Sequence, residues 1–183
     1  MINRIPAQPA TIDFMKFLAQ NPAIRNLIRA APDKTLLYSG AFFAAAFQEI
    51  KARKLSDPQI ADKEILTDVL ARVPVPGQLS PDPSKPFPNL LAYVQHLEQQ
   101  VPKNPDQIMI WKALSGIFAA NAYGKVSFWI GSGVNKSKVF VATEIKVLLR
   151  NPHVDPLVKD LLEYYLRCVQ NKNPDMNVGF ISA

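Results

Sequence analysis

The sequence predicts a mainly α-helical protein, a helical bundle with a proline-rich connector and one small β-hairpin in its C-terminal part. Three observations lead there. Apolar residues recur three and four positions apart through most of the 183 residues, the spacing of one helix face. Asn21-Pro22, Asp57-Pro58, Asn104-Pro105 and Asp155-Pro156 each place a capping side chain before a proline suited to the first helical position. Finally, Pro74, Pro76, Pro81, Pro83, Pro86 and Pro88 fall within one short stretch. Proline fixes φ, lacks an amide donor and disfavours helix in the residue before it, so no helix or central strand can run through this stretch. The expected organisation is an N-terminal helical part at 1–73, an extended connector at 74–88, a C-terminal helical part with a hairpin at 89–171, and a loose tail at 172–183.

In the N-terminal part, Thr11 can cap a helix bearing Ile12, Phe14, Met15 and Leu18, and Asn21-Pro22 starts a second through Ile24, Leu27 and Ile28. Pro32-Asp33 is expected to open a third helix carrying Leu36, Leu37, Phe43, Phe47 and Ile50. Asp57-Pro58 opens a fourth with Ile60, Ile65, Leu66, Val69 and Leu70, which makes this part all helix. Beyond the connector, Asn89 can cap a helix bearing Leu90, Leu91, Val94 and Leu97. The next, over 106–122, is apolar on nearly every side, as a central core helix would be, and Gly124 stands where a terminating glycine is expected.

The pattern then changes. Val126, Phe128 and Ile130 alternate with Lys125, Ser127 and Trp129, and Gly131-Ser132-Gly133 precedes Val139, Phe140 and Val141, which reads as a hairpin. Thr143 caps a helix with Ile145, Val147, Leu148 and Leu149. The last helix carries Val158, Leu161, Leu162, Tyr165 and Val169 inward and Lys159, Glu163 and Arg167 as an outer charge ladder.

Composition excludes several function classes. With 48% hydrophobic and 20% charged residues the chain is of ordinary globular make-up. The net charge of +6 favours acidic partners, yet residues 1–73 and 89–183 each carry ten basic and seven acidic side chains, so the excess is spread evenly. Cys168 is the single cysteine, which rules out an intramolecular disulfide and a cysteine-rich zinc site and fits a reducing compartment. The first ten residues lack the apolar run of a secretory leader, and the longest apolar stretch, 36–47, is broken by Ser39 and Gly40, short of the ~20 residues that span a bilayer. A cytoplasmic protein with no transmembrane segment is expected.

Candidate sites are few. Gly131 to Ser137 suggests a phosphate-cradling loop but departs from that pattern twice, with Asn135 where glycine should precede Lys136 and a strand expected where a helix should follow. Lys125, Lys136, Lys138, Lys146 and Arg150 against Glu144 alone form the clearest local charge excess. Cys168 with His153 or His96 is the one nucleophile and base combination, though a cysteine at a helix C-terminus meets a dipole that raises its pKa. Two histidines without paired spacing make no metal site, and no residues point to a cofactor or a catalytic constellation.

The run Lys136-Ser137-Lys138-Val139-Phe140-Val141-Ala142-Thr143-Glu144-Ile145, followed by Leu148-Leu149 and Tyr164-Tyr165-Leu166-Arg167-Cys168, resembles a small helical module of effectors from intracellular bacteria such as Legionella and Coxiella. The resemblance covers about 106–170. It implies delivery into a host cell by type IV secretion, without a Sec-type signal, and brings no catalytic residues. The functional expectation is therefore a non-enzymatic interaction module that engages an unidentified protein partner through Lys125, Phe128, Trp129, Lys136, Lys138, Lys146 and Arg150, with one of the two aromatics left on the surface among the lysines. The alternatives are a nucleic-acid binder using the basic hairpin at 125–150 and a cysteine-dependent enzyme.

Overall fold

The computed structural model describes residues 7–39, 43–80, 82, 84–130, 140–170 and 179–182. In chain order the elements are α1 (Pro9–Gln20), α2 (Pro22–Leu27), β1 (Thr35–Ser39), α3 (Phe43–Ser56), α4 (Leu66–Leu70), α5 (Leu90–Gln100), α6 (Ile108–Ala120), β2 (Val126–Ile130), α7 (Ile145–Arg150), α8 (Pro156–Gln170) and β3 (Gly179–Ser182). The protein is mainly α-helical, as the sequence predicts. Among the described residues no helix is long and apolar enough to cross a membrane.

The three strands form one sheet in the order β1-β2-β3. β2 pairs in parallel with β1, Thr35 opposite Val126 through Ser39 opposite Ile130, and antiparallel with β3, Ser127 opposite Ser182 through Ile130 opposite Gly179. Side chains alternate across a strand, so this register sorts them cleanly. Leu37, Val126, Phe128 and Ile130 join the main core with α1, α5, α6, α7 and α8. Leu36 and Trp129 face the other way, into a smaller cluster with Ala46, Ile50, Ile60 and Ile65, against which Tyr38 and Phe47 pack. All five residues of β2 are buried.

That double burial corrects several expectations. Residues 35–39 form a strand and not the start of the third helix, because Leu36 and Leu37 are wanted on opposite faces of the sheet, which a helix cannot provide. The N-terminal part is thus not all helix. β2 is a strand, as expected, but not half of a hairpin. Both its edges are taken by β1 and β3, and Phe140–Glu144, which includes two residues expected in the returning strand, is a helical turn leading into α7. Phe140 and Val141 are therefore helical and not strand, while residues 131–139, with the glycines, Asn135 and Lys136, lie outside the described residues. Residues 179–182, expected in the tail, are β3.

Helix starts fare better. Asn89 caps α5, its side chain accepting a 2.9 Å bond from the Ala92 amide, and prolines open α2 and α8. Asp57-Pro58 instead makes a turn, with Ile60 and Ala61 amides bonding to Asp57 O, and α4 begins only at Leu66. Thr11 lies buried inside α1, and Thr143 lies within the turn that precedes α7.

Gly124 fixes the start of the sheet. Its φ of 74° is a left-handed conformation that side chains resist, and a Cβ there would lie 2.1 Å from Asp33 Oδ1. Asp33, itself at φ 62°, receives the Lys125 amide on that oxygen at 2.7 Å and donates its own amide to Tyr123 O at 3.0 Å. Gly124 also donates to His153 O at 2.8 Å and accepts from the Asp155 amide at 3.0 Å. The glycine is thereby clamped between the turn before β1 and the turn before α8. Gly124→Ala is expected to destabilise the protein by more than the ~1 kcal/mol of an ordinary left-handed glycine. Gly77→Ala, where nothing lies within 4 Å of the added Cβ, is expected to be near neutral. Urea unfolding of the two variants beside wild type checks the contrast.

Candidate functional site

Of the residues expected at a partner surface, the two aromatics are not at the surface. Phe128 and Trp129 are 1% and 4% exposed, because the sheet is covered on both faces, so neither aromatic stands among lysines at the surface. The guanidinium of Arg53 from α3 lies over the Trp129 ring at 5.9 Å. Lys125 is exposed at the head of β2, beside Asp33, while Lys146 and Arg150 are exposed one turn apart on α7. Lys136 and Lys138 lie outside the described residues.

Among the described residues no hydrogen bond joins Cys168 to His96 or His153. Cys168 is buried on α8 and bonds with the hydroxyl of Tyr164, one turn earlier, which pushes that phenol up. His96 contacts Gln100 at 2.8 Å and packs against Phe87, and His153 stacks on Tyr123 with ring centroids 5.5 Å apart. Among the described residues no group of three His, Cys, Asp or Glu is placed to hold a metal ion.

What the fold does build is a cleft of about 710 Å³ where the end of α2 meets the end of α6. Two asparagines secure those ends by donating to backbone carbonyls at the helix termini, where intrahelical partners run out. Asn121 donates to Arg25 O at 2.7 Å and Ile28 O at 3.1 Å, fastening the end of α2. Asn151, 5% exposed, donates to Ala119, Ala120 and Ala122 carbonyls at 2.8 to 3.2 Å, closing α6. The bond from Gly124 to His153 O then sets His153 beside Tyr123.

The cleft is lined by apolar Leu27 and Tyr123, both about half exposed, together with Arg29, Arg72 and His153. Arg72 is paired with Glu64 and donates to Arg29 O at 3.1 Å. Burial pushes the Glu64 carboxyl up, but the bonds from Arg72 and the Ala31 amide outweigh it and hold the group below its usual range, so this pair stays ionised and self-neutralised. Arg29 has no ion pair among the described residues and leaves the cleft a net positive charge. No local pattern marks these residues in the sequence: Arg29, Arg72, Tyr123 and His153 are brought together only by tertiary contacts.

One further group carries an unusual charge state. Glu144, in the turn before α7, is 7% exposed, and burial pushes its carboxyl up to about 8 against the opposing pull of a hydrogen bond from Ser115 on α6. The same turn packs close to α6, where a Cβ at neighbouring Gly116 would stand 3.4 Å from the Thr143 methyl, an ordinary contact. Tyr38 on β1 is pushed up as well, first by burial and then by the nearby charges of Glu144 and Asp68. Glu144 does not line the cleft between α2 and α6.

No protein-family model, no curated protein and no solved structure matches the chain.

Two outcomes follow from the burial at this end of the sheet. Trp129→Ala is expected to cost about 3–5 kcal/mol of stability, the usual range for a truncated core aromatic, measured by chemical denaturation. Glu144 holds its proton to about pH 8 when folded but only to about 4.5 when unfolded. Between those values the folded state binds more protons, so stability falls as pH rises, by up to about 1.4 kcal/mol per unit. Glu144→Gln is expected to flatten that slope and to be more stable than wild type at pH 8; an unchanged slope would show that the carboxyl titrates elsewhere.

Proposed function

We propose that the chain is a non-enzymatic interaction module that recognises an acidic, partly apolar segment of a partner polypeptide through the cleft between α2 and α6. The observation that carries this reading is Arg29, without an ion pair among the described residues, beside the exposed Leu27 and the Tyr123–His153 stack. An apolar anchor would bury the tyrosine and leucine while an acidic neighbour meets the guanidinium, which supplies both desolvated contact and steering. The resemblance of residues 106–170 to modules of type IV secreted effectors favours a host protein as that partner. This reading replaces the lysine hairpin as the contact surface and keeps the expected class of function.

A second reading has its own support. Exposed aromatic rings next to an arginine also suit single-stranded nucleic acid, where bases stack and phosphates meet the cation. Capture from host-cell lysate, with and without nuclease, separates the two. Capture that survives nuclease and is lost in Arg29→Glu and Tyr123→Ala supports the polypeptide reading. Capture abolished by nuclease supports the other, and capture indifferent to both substitutions removes the cleft from consideration.

A further inference from the structure

A second cleft, of about 360 Å³, lies where α3, α4, α5 and α6 meet, and it shares no lining residue with the first. Its chemistry is the opposite. Phe47 from α3, Leu91 from α5 and Trp111 from α6 give it apolar walls, and Asp68 and Glu98 place two carboxylates beside them. The Asp68 charge is met by Lys54. Glu98 accepts a 2.6 Å bond from the Trp111 indole N–H, and no cation pairs with it among the described residues. The bond fixes the indole ring and its carboxylate in one place, so a charged oxygen and an aromatic surface are held together in a half-buried setting.

The chain itself shows what such a wall attracts. Lys51, exposed on the rim, places its ammonium 5.0 Å from the centre of the Phe47 ring, within the range of a cation–π contact. Lys51 is a long side chain on a surface helix, so an incoming cation can displace it at the cost of one weak contact. The rim also contains the exposed Ala71 and Gln95, so the cleft opens outward and does not enclose a small molecule. A cation delivered on an apolar stem from a backbone lying outside fits that shape better than a free amine.

We propose that this cleft receives a lysine or arginine side chain of a partner polypeptide, its charge on Glu98 and its methylene stem against Trp111 and Phe47, in the place Lys51 now takes. The site is independent of the cleft for an acidic segment and stands whether or not that reading holds.

The chain has only two tryptophans, so the indole N–H of Trp111 is a ready reporter in a nitrogen–proton correlation spectrum, assigned by its loss in Trp111→Phe. The probes are n-butylammonium, the tripeptide acetyl-Gly-Lys-Gly-amide, and the controls n-butanol and n-butyrate. The expected result is a saturable shift of the Trp111 signal with both cations, with the tripeptide binding at least as tightly as the amine, and none with the controls. Glu98→Gln keeps an oxygen acceptor for the indole, so the fold is retained, and should weaken binding at least tenfold. Lys51→Ala should tighten it severalfold by vacating Phe47. An equal response to n-butyrate or n-butanol, undiminished binding in Glu98→Gln, or weaker binding in Lys51→Ala would overturn the site. A tripeptide that binds less tightly than the amine would overturn the polypeptide as its occupant. Should Glu98→Gln lose spectral dispersion, the Lys51→Ala arm and the neutral and anionic controls decide alone.

Discussion

Everything in this fold leans on a five-residue strand that has no side facing water. β2 is covered on one face by the main helical core and on the other by the α3 cluster, and its edges are closed by β1 and β3. A strand in that position must satisfy its backbone entirely within the sheet, and it must fill both faces with side chains that fit. Phe128 answers one requirement and Trp129 the other. The helices arrange themselves around this: α6 and α7 against one face, α3 against the other, and the turns at Asp33 and Gly124 fixing where the ladder begins.

The same burial explains which parts of the structure were legible in the sequence. Helices that turn one face to water write a three-to-four periodicity, and α1, α5, α6 and α8 appear where that periodicity and their cap or proline signals place them, give or take a turn. A strand buried on both faces writes no alternation. Leu36 and Leu37 in β1 are adjacent, apolar and followed by more apolar residues, so they look like one edge of a long helix; only their division between two cores distinguishes the cases. β2 was visible because Lys125 and Ser127 interrupt its run, but the pattern could not say which segment pairs with it. Ser127 turned out to be buried and not solvent-facing.

The candidate sites were less legible still, for a related reason. The lysine-rich segment was conspicuous because its charges are near one another in sequence, whereas Arg29 and Arg72 meet through a hydrogen bond across an otherwise unremarkable stretch, and Tyr123 and His153 through the clamp at Gly124. The two clefts also divide the charge of an evenly basic chain. Among the described residues Arg29 has no ion pair in one and Glu98 has none in the other, so a surface with little overall asymmetry still sets a guanidinium and a carboxylate apart, each beside aromatic rings. Glu144 shows the third fate of a charge in this fold, taken inside and neutralised by its proton.

The distance along the chain between the strands has a consequence for how the molecule comes together in time. Thr35 and Val126 pair across about 90 residues, a separation whose closure costs on the order of 4 kcal/mol before the ladder returns anything. β3 must then come back from the far side of α8. By its helix content this protein belongs with the quick-folding bundles, but the contacts that organise it are long-range ones. Its folding speed is therefore set by the sheet, and it belongs with mixed α/β proteins on the kinetic scale.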